Sequence, residues 1–322
     1  MAHLTRSRRD QLEALYRARL PQSEIARILG CNQSTVSREL QRSGSRYSAN
    51  AAQLRSEARR RKLACWYDDP RVFKFVLELL RQRQSPEQIE GRMKRESPWH
   101  RTHAVSAKSI YNYIWKVAAE GGCLHVHLRR RGRRPKWFGL TKALRTNIPN
   151  RRDISERPKI VDRWERCGDW ESDLVVGDTA VATFVERFSK YLRAILMPDR
   201  SAEAFVEAAK CAFKIIPAPL RLTMTHDNGS EIAQHEHITK HLQMTVYCAQ
   251  PYHSWERGLN ENTNGLLRDF FPKGTDFRTV SKEELDHAVE LINNRPRRSL
   301  HFRTPKEVLD AEIKRYAFEA SD

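Results

Sequence analysis

The sequence predicts a multidomain chain, an all-α N-terminal half followed by an α/β domain. Three observations predict it. Short amphipathic segments bounded by helix-start and helix-stop residues fill the first 120 or so positions, β-branched and aromatic runs set in from about residue 168, and the charge divides between the same two regions. Of the 58 Lys and Arg in the 322 residues, 32 lie in residues 1–150, a stretch that holds only 12 of the 40 Asp and Glu. The chain as a whole carries +18, and the excess sits in the helical half. A region so charged neutralises phosphates and releases counterions, so it points to DNA as a partner.

Residues 1–50 read as a helix-turn-helix. Leu12, Leu15 and Tyr16 fall at helical spacing in the first segment, Pro21 opens a second through SEIARILG, and Gly30 closes it. Asn32 suits the N-cap of a third helix, QSTVSREL, in which Val36 and Leu40 face inward. That leaves Gln33, Ser34, Ser37 and Arg38 outward, on the face a recognition helix lays in the major groove. Residues 51–128 join a basic linker helix, AQLRSEARRRK, to a second unit of the same kind. Ser85-Pro86-Glu87-Gln88 is a capping box with proline in the first turn, and VSAKSIYNYIWKV buries Ile110, Tyr113, Ile114 and Val117 while exposing Lys108, Asn112 and Lys116. Residues 129–154 form a basic linker around RRRGRRPK, able to touch phosphate or to remain a solvated charge run.

From 155 to 322 the order of elements carries the argument. Three consecutive strands, DLVVG, TAVATFVER and YLRAILMP, precede a helix through SAEAFVEAAKCAFKII. A strand ending at Asp227, a helix through EIAQHEHITKHL, a short strand MTVYCA and a helix through HSWERGLNENTNGLLRDFF follow. This βββαβαβα order is that of an RNase H-like domain, a mixed sheet flanked by helices. It makes the first and fourth strands neighbours, which brings Asp173 towards Asp227. On the last helix Trp255, Leu259, Leu266 and Phe270 form an apolar stripe, and Arg257, Glu261, Asn264 and Arg268 form a polar one. Glu261 therefore points with the arginines, and the rival acid Glu256 is rotated away. Three carboxylates from separate elements suit two Mg²⁺ or Mn²⁺ ions in a phosphoryl-transfer site, with Arg257 and Arg268 placed to hold DNA phosphate. Asn228-Gly229 favours a tight turn that exposes Asp227.

The stretches CGDWESDLVVG (167–177), THDNGSE (225–231), YCAQPYHSWERGLNENTNGLLRDFFPKGTDF (247–277) and LINNRPRRSLHFRTPKEVL (291–309) resemble the DDE transposases of bacterial insertion sequences, in particular the insertion-sequence-thirty family. The resemblance runs from about residue 5 to 310 and is strongest after 151. It implies a retroviral integrase-type catalytic core in which Asp173, Asp227 and Glu261 take the three catalytic and metal-binding places. It also implies binding of terminal inverted repeats and target DNA, strand cleavage and transfer, and a homo-oligomeric synaptic complex. Two local departures occur: Ser172 stands where the family usually has Gly, and His226 precedes the second aspartate. Neither removes a ligand.

Other classes are disfavoured by what the sequence lacks. The six cysteines form no CxxC pair, and His235, His237 and His241 read as a solvated helix face rather than a zinc site. There is no GxxxxGK[ST] loop, so no nucleotide cofactor is expected, and no long apolar run or signal region, so the expected place is the bacterial cytoplasm, associated with the nucleoid. The competing functions are a non-catalytic DNA-binding regulator that keeps the fold and an RNase H-like nuclease or resolvase that cuts without joining. The intact acid triad disfavours the first, and two helix-turn-helix units disfavour the second. The basic cluster Arg295, Arg297, Arg298 suits either DNA contact or a soluble surface.

Overall fold

The structure, a computed structural model, describes residues 4–43, 47–60, 65–129, 151–227, 229–250 and 258–319. Two compact units divide the chain, Met1–Pro70 and Arg71–Asp322. In the first, α1 (Arg6–Arg17), α2 (Gln22–Ile28), α3 (Gln33–Gln41) and α4 (Ala49–Arg60) surround Leu12, Ile25 and Val36, all fully buried. Asn32 caps α3 by accepting from the Ser34 amide at 2.9 Å, and Gly30 ends α2 in the left-handed region at φ +59°, where glycine costs least. A buried ion pair crosses this core: Arg9 Nε donates to Glu39 Oε1 at 2.7 Å, and Arg9 Nη1 reaches Gln53 at 2.7 Å. One guanidinium thus ties α1 to both α3 and α4.

The second unit begins with α5 (Pro70–Arg81), α6 (Pro86–Arg95), α7 (Pro98–Thr102) and α8 (Ala107–Ala119). The Ser85/Gln88 capping box is present, and Ile89, Met93, Ile110 and Ile114 are fully buried between α6 and α8. These helices belong to the same compact unit as the sheet that follows. Arg92 makes a two-pronged pair with Glu307 at 2.9 and 2.7 Å, and Gln88 Nε2 donates to the Pro296 carbonyl at 2.9 Å. Phe302 lies so close to Gly91 that a Cβ there would come within 2.2 Å of its ring. Glycine on α6 is required by this approach.

The sheet contains β1 (Asp169–Val176), β2 (Ala180–Glu186), β3 (Leu192–Met197), β4 (Thr223–His226) and β5 (Thr245–Cys248), in the order β3-β2-β1-β4-β5. The first three strands pair antiparallel, and β1–β4 and β4–β5 pair parallel. This is the expected RNase H-like layout. On one face α10 (Ala202–Phe213) and α11 (His235–Leu242) cover Trp170, Phe184 and Met224. On the other, α12 (Gly258–Leu267) and α13 (Lys282–Asn293) cover Val175, Val181 and Val185. A short helix α9 (Ile160–Arg163) precedes the sheet, and α14 (Pro305–Glu319) ends the described chain.

Two substitutions test these contacts. Removing one partner of a buried ion pair leaves a lone charge and costs about 3–5 kcal/mol, so Arg9→Met should make the first unit unfold earlier in urea, read by hydrogen exchange at residues 4–43. Gly91→Val overpacks the Phe302 seat and should cost about 1–3 kcal/mol, lowering the unfolding midpoint of the second unit alone.

Candidate active site

Strand register builds the site. In the parallel ladder Asp169 stands opposite Thr223, Trp170 opposite Met224 and Glu171 opposite Thr225. Asp227 follows β4 directly and stands 54 positions after Asp173, the same offset as the three registered pairs, while the ladder itself ends at Glu171 and Thr225. Side chains alternate along a strand, so Asp169, Glu171 and Asp173 share one face of β1, the face covered by α12. Two of these acids are held by arginines. Arg166 grips Asp169 at 2.7 and 3.0 Å, while Arg187 pairs with the fully buried Glu171, which also accepts from the Asn260 amide at 3.0 Å. Asp173 instead accepts from Asn264 Nδ2 at 2.9 Å through one oxygen and from the Leu174 amide at 2.8 Å through the other.

Glu171 and Asp173 therefore lay α12 along β1, one through the Asn260 amide and one through Asn264. Thr183 on β2 completes the bracket, donating at 3.0 Å to Asn264 Oδ1 and at 3.1 Å to the Asp173 carbonyl. Glu261, one turn before Asn264, is exposed at the edge of this arrangement. Asp227 accepts from the Gly229 amide at 3.0 Å, which folds the chain into the tight turn expected after it; Asn228 itself lies outside the described residues. So do Trp255, Glu256 and Arg257.

The two departures from the family pattern meet each other. Ser172 Oγ and His226 Nδ1 are 2.8 Å apart, joined across β1 and β4 on the face opposite Asp169, Glu171 and Asp173. His226 Nε2 in turn lies 3.2 Å from Asp227 and 3.3 Å from Glu231. Burial disfavours the imidazolium, but hydrogen bonds to the two carboxylates outweigh it and push the pKa up to about 9. The three ligand atoms of His226, Asp227 and Glu231 lie within 4.8 Å of one another. His226 is better described as a clamp on Asp227.

Comparison with known proteins places this geometry. The family described as "Integrase core domain" matches residues 166–254, and that described as "Helix-turn-helix domain" matches residues 2–43. The transposase for insertion sequence element IS4351 of Bacteroides fragilis is 38% identical over 314 residues, 95% of this chain and 94% of that one. Transposase InsI for IS30A of Escherichia coli (strain K12) is 36% identical over 328 residues, 97% of this chain and 85% of the relative. The chain belongs to the IS30 family of insertion-sequence transposases. The IS1086 transposase of Cupriavidus metallidurans is likewise 36% identical, over 88% of this chain and 87% of its own length.

An integrase-type transposase core works with a divalent metal ion, and the residues here fit one. Asp173, Asp227 and Glu261 offer carboxylate oxygens, the donors that hard cations prefer, although among the described residues the structure does not gather these three within ligand distance of one another. The histidines of α11 do not compete: His237 and His241 are exposed as expected, while His235 is buried because it shares the inward side of the helix with Ile238 and Leu242.

Among the other residues singled out from the transposase sequence, Gln33, Ser34 and Arg38 are exposed on α3 and Ser37 is half-buried; Lys108, Asn112 and Lys116 are exposed on α8. Arg268 is already engaged, donating to the carbonyls of Val176 at 2.5 Å and Pro272 at 3.4 Å, so it fastens the end of α12 to the end of β1. Arg295 is buried rather than at a soluble surface, because the turn after α13 folds inward against α6; Arg298 is exposed. Asn264 carried no role in the sequence reading beyond its stripe, although its place three residues after Glu261 was the available signal. Asn264→Ala should lower transposition activity by about 10- to 100-fold, as loss of a ligand's orienting partner does, with DNA affinity and melting temperature close to the parent's.

Proposed function

We propose that this transposase binds the terminal inverted repeats of its element and catalyses metal-dependent strand cleavage followed by strand transfer. The observation that carries the reading is the β1–β4 pairing, which sets the strand that bears Asp173 beside the strand that Asp227 follows, with a helix bearing Glu261 packed on the sheet. In this reading α3, through Gln33, Ser34, Ser37 and Arg38, and α8, through Lys108, Asn112 and Lys116, read two parts of the repeat, and Arg257 lies along the DNA backbone near the acids while Arg268 holds the end of α12. Asp173, Asp227 and Glu261 hold two Mg²⁺ or Mn²⁺ ions. Bound there, the ions supply positive charge to the attacking and leaving oxygens of a phosphodiester.

The protein's own contribution is position. Asn264 and the Leu174 amide fix both oxygens of Asp173, the Gly229 amide and His226 fix Asp227, and Glu261 remains exposed towards an incoming strand. Hydrolysis at the element's end frees a 3′-hydroxyl, which then attacks a phosphodiester of the target. Joining two ends needs at least two copies of the chain, assembled with DNA in a synaptic complex in the bacterial nucleoid, and no nucleotide cofactor takes part.

Asp227→Asn and Glu261→Gln should each abolish cleavage of a repeat-bearing donor DNA while leaving repeat binding nearly intact, and Glu256→Gln should spare both. Loss of cleavage in Glu256→Gln with retention in Glu261→Gln would reassign the helix acid. EDTA should stop cleavage but not repeat binding, and Ca²⁺ should support assembly with little chemistry; cleavage that persists in EDTA would defeat the metal-dependent reading. Arg38→Ala should cut discrimination between repeat and random DNA by about 1–3 kcal/mol if that side chain reads a base, as a gel-shift competition measures.

A further inference from the structure

The flank of α12 turned away from Glu261 borders a second, positively charged hollow. At 100° per residue, Gly258, Leu259, Asn262 and Thr263 lie on one flank of the helix and Glu261 and Asn264 on the other. The first flank lines a pocket of about 460 Å³, closed by Trp164, Phe188 and Lys190 from the segments around β1 and β2 and by Arg297 from the turn after α13. Nothing in the cleavage reading uses this pocket.

Its charge is unusual. The Lys190 ammonium sits 3.4 Å from the centroid of the Trp164 ring and donates to the Arg187 carbonyl, and the residue is almost entirely buried. Lys190 itself adopts φ 65°, a left-handed conformation that a non-glycine residue takes at a cost. Arg297 Nε is buried without a hydrogen-bond partner among the described residues. Neither cation has a carboxylate in ion-pair distance among those residues. Burial pulls the Lys190 pKa down to about 8 against the opposing charge of Glu186 and Glu171, and that of Arg297 down to about 10, with Arg295 and Arg129 lowering the latter further. A buried cation with no acid in direct contact is costly, and an anion in the pocket would offset that cost. Lys190 and Arg297 suit an anion.

The walls narrow the choice. Two aromatic side chains beside two cations offer a stacking surface and a phosphate site together, the combination by which proteins hold single-stranded nucleic acid. The volume is within the range of small-ligand pockets and matches one nucleotide rather than a duplex. Bases inside a duplex are stacked and out of reach.

We propose that this pocket binds one nucleotide of an unpaired DNA strand, its phosphate on Lys190 and Arg297 and its base against Trp164 and Phe188. The proposal rests on the reading that DNA ends lie along α12, but its test requires no cleavage. The full chain carrying Asp227→Asn is irradiated with an oligo(dT) strand containing 4-thiothymidine, and the adducts are mapped by peptide mass spectrometry. Adducts should appear on peptides containing Trp164 or Phe188. Arg297→Met and Lys190→Gln should each reduce them by about tenfold, the effect of losing one charged hydrogen bond, and Arg297→Lys should retain most of them. Excess dTMP should suppress the adducts and thymidine, which lacks the phosphate, should not. Arg297→Met should melt no lower than its parent, since it removes a charge rather than a bond; should it fail to fold, Lys190→Gln decides by the same readout. Adducts confined to residues 1–128, adducts undiminished in the folded variants, or equal suppression by thymidine would overturn the proposal.

Discussion

A parallel ladder between β1 and β4 fixes everything that the acids can do. Strands so paired cannot slip by one residue without turning every side chain to the wrong face, and here a slip would bury Asp173 among the aromatic side chains of Phe184 and Phe205 on the α10 face. The fully buried Trp170 resists such a slip. Its indole Nε1 donates to the Leu220 carbonyl at 2.8 Å and its ring packs edge-on against Phe213, so β1 is pinned near its start, three residues before the acid that depends on it. The antiparallel pairing of β1 with β2 holds the other edge and places Thr183 opposite Asp173.

Alternate acids along one strand face would repel each other without compensation, and the compensation is local and specific. Arg166 holds Asp169 from the chain just before the strand, and Arg187 holds Glu171 from the turn after β2. Both pairs are largely withdrawn from water, where a lone charge is costly and a paired one is tolerated. Arg187 has a further neighbour: its guanidinium lies 4.8 Å from the centroid of the Trp164 ring. The turn from Arg187 to Lys190 therefore serves two places, the buried acid under α12 and the aromatic wall of the pocket on its flank. A change in this turn acts on both.

Local chemistry was legible from the sequence and long-range pairing was not. The caps at Asn32 and Ser85 could be read directly because a cap is set by residues within one turn. The strand order was legible because βββαβαβα has few compact solutions, and with it the pairing of the strand that carries Asp173 with the strand that Asp227 follows. The contact of Ser172 with His226 was hidden, since each residue taken singly looks like a neutral departure and only the β1–β4 register joins them. Gly91 gave no sign of seating Phe302, because nothing within the α6 segment marks a close approach by a distant turn. Arg295 and Arg297 were misleading in another way: arginines in a basic run read as solvated, and burial of such groups depends on a tertiary fold that composition does not report.

The union of α5–α8 with the sheet in one compact unit bears on how recognition and chemistry are coupled. A helix-turn-helix on a flexible tether would bring DNA near the acids without fixing its angle. Here α6 is fastened to the chain after α13 by Arg92–Glu307, by Gln88 on the Pro296 carbonyl and by the Gly91–Phe302 contact, while Arg83 donates to the Asp269 carbonyl at 2.8 Å just beyond α12. These contacts involve a charge pair, two hydrogen bonds to main-chain carbonyls and a close-packed ring, so they resist both rotation and sliding. The exposed face of α8 thus keeps a set orientation with respect to the helix that carries Glu261. If α8 reads DNA as proposed, the distance from the bases it reads to the bond that is cut follows from the fold itself rather than from the length of a linker.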